Sequence, residues 1–142
     1  MKGPDGAMKQ KKRGVRPDGY FVIVDEKRQS QGLPARARFL LELDMATHDT
    51  GSFVQEKAIA GAVYIQSPTY KARFGTNVGR WLVVTTGERR MKNLMHQTYQ
   101  AVGMSARAFL FTLLDTVKRE NVLTSPIWYE PGREQPLALI SD

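Results

Sequence analysis

The sequence predicts an α/β domain in which a central mixed β-sheet is flanked by helices. Three observations predict it. Apolar runs of strand length alternate with segments of helical period, in the order β-β-α-β-α-β. The polar stretch between the first two runs carries Gly32 and Pro34 and reads as a hairpin loop, whereas helical crossovers separate the later runs. The 142 residues are 42% hydrophobic and 25% charged, an ordinary globular balance in a chain long enough for one buried core.

Taken in order, Tyr20 to Val24 is a short apolar run behind Pro17-Asp18-Gly19, and reads as the first strand. Arg36 to Asp44 alternates as a second strand, so Glu42 and Asp44 share one face. Ser52 and Gln55 form a capping box that starts a helix running to Gln66, before Pro68. Its Val54, Ala58, Gly61, Ala62 and Ile65 make one buried stripe. Residues 68–80 read as a long loop. Trp81 to Thr85 is nearly all apolar, as a central strand covered on both faces would be. Thr86 is placed to cap a helix over 88–102, which Gly103 stops. Phe109 to Phe111 is the fourth strand, Asp115 to Glu120 a short helix, and Ile127 to Tyr129 an edge strand.

Composition excludes several classes. Cysteine is absent, which removes disulfides, Cys-ligated zinc, iron–sulfur clusters and thiol catalysis; two histidines do not make a His cage. No apolar run approaches a membrane span and no signal peptide is visible, so the expected location is the cytoplasm, with no membrane partner. Of the net charge of +7, residues 1–16 hold +5. Residues 1–14 read as a basic arm or linker remnant ahead of a single domain over 15–142. Such an arm suits a polyanion such as DNA, or serves only as a solubilising tail.

Three acidic residues stand at strand ends: Asp18 opens the first, and Glu42 and Asp44 close the second. An antiparallel hairpin brings all three to one sheet edge, where hard oxygens suit Mg²⁺, with Mn²⁺ as substitute. Lys57, on the following helix, is the candidate cation for attacking water or phosphate, and Tyr64 shares its face. Each has a plain reading: Pro-Asp-Gly is a turn sequence that recurs as Pro4-Asp5-Gly6 in the arm, and Lys57 is a surface lysine. His48 lies beside the acids, and His96 is assigned no role. Arg89 and Arg90 occupy the first turn of a helix, where the dipole disfavours cations, which points to a phosphate or to ion pairs. Lys71 and Arg73, with Arg80, extend a candidate nucleic-acid track.

Pro17-Asp18-Gly19, Phe39 to Asp44 with Thr47, Lys57, Tyr64, Val83 to Arg90 and Phe109 to Thr112 together resemble the bacterial replication-relaxation family of plasmids and mobile elements. The resemblance spans about residues 15 to 115. That family is similar to the PD-(D/E)xK nuclease superfamily. The resemblance implies a restriction-endonuclease-like core, Asp18 and Glu42 as metal ligands, and a winged-helix DNA-binding segment upstream that this chain lacks. Two positions depart from it: Asp44 stands where the superfamily has its strand lysine, and the loop reads Met45-Ala46-Thr47-His48.

Two principal functions follow. One is a DNA-directed replication or relaxation protein that cleaves phosphodiesters with magnesium, using Asp18, Glu42, Asp44 and Lys57. The other is a catalytically inactive nuclease-like fold that binds DNA or a protein. A third expectation is a homodimer, with Trp128, Tyr129 and Leu137 to Ile140 as an exposed apolar strip.

Overall fold

A computed structural model describes residues 16–45 and 50–140. The arm over 1–14, and Thr47 and His48, lie outside the described residues.

Four strands form one sheet in the order β1-β2-β3-β4. β1 (Gly19–Val24) runs antiparallel to β2 (Arg36–Asp44), pairing Gly19 with Leu41 and Val24 with Arg36. β3 (Arg80–Thr85) lies parallel to β2, and β4 (Phe109–Leu113) parallel to β3. The chain is thus an α/β domain with a mixed sheet, a hairpin followed by two crossovers.

The pleat of β2 divides the core. Leu40 packs with Trp81, Val83, Phe109 and Phe111 under the helices. Phe39 packs with Leu82, Val84, Leu110 and Trp128 on the opposite face. Because side chains alternate, Glu42 and Asp44 share the helix-covered face with Leu40. The first crossover is a helical run made of α2 (Thr50–Phe53), a π-helical turn over Val54–Ala58, and α3 (Ile59–Ile65). It begins at Thr50, so Ser52 lies inside the helix instead of capping it. The expected stripe does face inward: Val54, Ala58, Gly61 and Ile65 are buried. Gly61 is needed there because a Cβ would stand 2.9 Å from Trp81 Nε1, which donates to the Gly61 carbonyl at 3.2 Å.

Three expectations change. Residues 68–80 do not form one long loop: α4 (Pro68–Phe74) occupies half of them. Ser67 Oγ caps it by accepting from Tyr70 N–H, Pro68 opens its first turn, and Gly75 ends it at φ 79°. Asn77 then ties the connection down by donating to the carbonyls of Ile65 and Ser67. The hairpin loop contains a short helix, α1 (Glu26–Ser30), capped by Asp25. Gly87, at φ 84°, precedes α5 (Glu88–Val102), which has no side-chain cap from Thr86.

After β4 the chain forms a 3₁₀ turn (Leu114–Thr116) in place of the longer helix that the sequence predicts. It then folds back under the sheet. Tyr129 exchanges both backbone hydrogen bonds with Phe111, and Trp128 does so with Leu137. Trp128 is 1% exposed and donates from Nε1 to the Val122 carbonyl. Of the strip expected to be exposed, Trp128 is buried, and Tyr129 and residues 137–140 are half-buried, with Leu137 and Leu139 packed on the sheet face that the helices leave open. No helix among the described residues is long and apolar enough to cross a membrane.

Candidate functional site

The edge of the sheet at the C-terminal ends of β2, β3 and β4 also carries the start of β1, because β1 is antiparallel. This is the edge at which α/β sheets commonly hold ligands. Asp18 sits just before β1. Its backbone N–H donates to the Leu41 carbonyl at 2.7 Å, and its Oδ2 accepts from Leu43 N–H at 2.8 Å. The carboxylate therefore clasps the neighbouring strand across the edge. One step beyond the Gly19–Leu41 pair, the register sets Asp18 opposite Glu42.

Glu42 is 7% exposed. Its Oε2 lies 3.4 Å from Nζ of Lys57, a half-buried residue. Burial raises the Glu42 carboxyl above the ordinary carboxylate value; the Lys57 ammonium opposes this, while Asp18 and, less, Asp44 add to it. Lys57 is delivered by the π-helical turn. Such turns often occur at functional sites, since the extra residue re-aims side chains. A cavity of about 40 Å³, lined by Arg16, Glu42, Lys57 and Glu56 with apolar walls from Phe53 and Trp81, lies beside the carboxylate. Its size suits a few waters or one small ion.

Asp44 has a different setting. It is 6% exposed and paired with Arg90, whose Nε donates to Oδ2 at 2.7 Å and Nη2 to Oδ1 at 2.9 Å. Thr85 Oγ1, its register partner on β3, donates to Oδ2 at 2.6 Å. This is a two-pronged guanidinium–carboxylate pair with a third donor. Among the described residues, no three of His, Cys, Asp and Glu gather into a group able to hold a metal. The sheet edge thus brings Asp18, Glu42 and Lys57 together and turns Asp44 toward α5.

The expected basic track divides in the same way. Arg90 is engaged by Asp44, whereas Arg89 is exposed. Lys71 and Arg73 are exposed on α4, with the Arg73 guanidinium 5.2 Å from the Phe74 ring centre. Arg80 donates to the Arg107 carbonyl and to Glu130. Tyr64 packs edge-on against Tyr70, and His96 is exposed on α5.

Four features of the site have no clear mark in the sequence. Thr85 is legible only as a strand end; its role needs the β2–β3 register. Arg16 counts in the sequence only toward the basic charge of residues 1–16. Phe53 and Trp81 read as core, and no sequence signal marks the π-helical turn. No protein-family model matches this chain, and neither a curated protein nor a solved structure matches it.

Proposed function

We propose that this chain is a DNA-directed protein of plasmid or mobile-element replication that hydrolyses phosphodiesters at the Asp18–Glu42–Lys57 edge. The supporting observation is Glu42: a carboxylate almost removed from water, beside a half-buried lysine and opposite a second carboxylate. Such a residue is costly unless something cationic uses it. The donor set fits magnesium, which takes one or two carboxylates and completes its shell with water and phosphate oxygens. Asp18 keeps Oδ1 for that purpose, its Oδ2 being held by Leu43 N–H.

When bound, the ion would polarise a phosphate oxygen and acidify water. The protein's own groups do the rest. Asp18 and Glu42 hold the position on rigid strands. Lys57, freed from its ion pair with Glu42, orients water or steadies charge growing on the phosphate. Arg16 stands at the same cavity and would contact the backbone.

A second reading rests on Asp44. The position that the resemblance assigns to a strand lysine is an acid tied to Arg90 and Thr85. That favours a nuclease-like fold without turnover, binding DNA or a replication protein. Plasmid nicking with Mg²⁺ or Mn²⁺, against EDTA, decides between them. Cleavage lost in Glu42→Gln and Asp18→Asn supports the enzyme. A metal-dependent thermal shift without cleavage supports the inactive module. Neither shift nor cleavage removes the metal site.

A further inference from the structure

The basic side chains fall into two groups. Lys57, Arg80, Arg90, Lys92 and Arg107 face carboxylates. The others, Arg36, Arg38, Lys71 and Arg73 among them, take part in no ion pair among the described residues. These four come from two elements that the fold brings together.

Arg36 and Arg38 lie two apart on β2 and so point to one face, roughly 7 Å apart along the strand. They pair with Val24 and Val22, at the end of the hairpin away from Asp18 and Glu42. Tyr20, two residues before Val22, stacks on Phe74 of α4 with ring centres 4.2 Å apart. Tyr70, on the same helix, packs against Phe74 at 4.7 Å. Arg38 shares its sheet face with Leu40 and Tyr20, the face on which Tyr70 and Phe74 of α4 pack. Lys71 and Arg73 stand exposed on that helix. The Nε of Arg38 is buried and has no hydrogen-bond partner.

We propose that Arg36, Arg38, Lys71 and Arg73 form a phosphate-backbone docking surface for DNA, on the helix-covered face at the far end of the hairpin from the carboxylate edge. Four cations without counter-carboxylates, three of them guanidinium forks, suit a regular array of phosphates. The rings of Tyr20, Tyr70 and Phe74 are spent on one another, so the surface reads backbone charge and does not stack bases. The proposal deepens the DNA-directed reading but needs no metal. From Arg38 to Glu42 is four strand residues, about 13 Å, so one DNA segment can span both places.

The test is fluorescence anisotropy of labelled duplex and single-stranded DNA, in EDTA, across a salt series. Lys71→Glu with Arg73→Glu changes only exposed positions. Arg38→Gln is the second variant, with its fold checked by circular dichroism. Lys118→Glu with Arg119→Glu makes the same change in net charge as the first variant, elsewhere on the chain. We expect each patch variant to weaken binding about tenfold or more, with the control within about twofold. The salt slope should flatten by about one for each phosphate that a variant no longer neutralises. Three results overturn the proposal: no DNA binding by the wild type at low salt, equal loss in patch and control variants, or patch-dependent binding to anionic vesicles but not to DNA. Because EDTA is present throughout, loss of nicking elsewhere leaves this result untouched.

Discussion

Replacing Arg90 with alanine tests whether Asp44 belongs to the structure or to the site. In the folded chain the Asp44 carboxylate is 6% exposed, and the hydrogen bonds it receives include two from Arg90 and one from Thr85. Losing the guanidinium removes a cation that offsets the desolvation of this buried negative charge. Breaking one partner of a buried pair costs about 3–5 kcal/mol. Two charge-assisted hydrogen bonds at about 1.5–3 kcal/mol each give a similar figure. Against a total stability of roughly 5–15 kcal/mol this is a large share. For a domain of this size it corresponds to a fall in Tm on the order of 10–20 °C. Urea unfolding at pH 7, followed by the fluorescence of Trp81 and Trp128, measures it directly. Arg89→Ala, at an exposed position in the same turn, is the control and is expected within about 0.5 kcal/mol of wild type. Asp44→Asn in the Arg90→Ala background removes the buried charge itself, so the double variant should cost less than the two single changes summed, by about 1.5 kcal/mol or more. A cost below about 1 kcal/mol for Arg90→Ala, or no coupling in the cycle, would refute the reasoning and return Asp44 to the pool of candidate metal ligands.

Three further outcomes are expected. Because burial raises the Glu42 carboxyl, the folded state holds that proton more tightly than the unfolded chain, and stability falls as pH climbs from the ordinary carboxylate range through the raised folded value. Glu42→Gln removes this slope: the variant gains on wild type between pH 4 and pH 7, and matching curves across that range would contradict the burial argument. Gly61→Ala places a methyl 2.9 Å from Trp81 Nε1 and 3.1 Å from Cε2, an overpacking expected to cost about 1–3 kcal/mol in urea titrations, with a changed Trp81 emission. Ser67→Ala removes the oxygen that caps α4 at Tyr70 N–H and should lower stability by about 1 kcal/mol; a Thr replacement keeping the hydroxyl should recover most of it.

The strands are legible because their information is local. Tyr20 to Val24, Arg36 to Asp44 and Trp81 to Thr85 announce themselves by apolar runs or strict alternation, and the structure places strands there. The α4 helix is equally local, with Ser67 as cap, Pro68 in the first turn and Gly75 at the end, yet its short length and exposed basic residues make it resemble a loop. The capping box at Ser52 is a misleading local signal. The helix begins upstream at Thr50, Phe53 and Val54 are buried, and one of its turns takes π geometry.

Sequence alone determined the α/β class, the pairing of the first two strands and the placing of Asp18 and Glu42 at a shared edge, since alternation and chain order suffice for these. Which acid stays at that edge was decided by tertiary structure. Asp44 and Glu42 occupy the same face of one strand, and nothing local distinguishes them. Only the β2–β3 register, which sets Thr85 opposite Asp44, and the seating of α5, which delivers Arg90, neutralise one carboxylate and leave the other beside Lys57. A buried charge takes whatever counter-charge the packing supplies, and that supply comes from residues more than forty positions away.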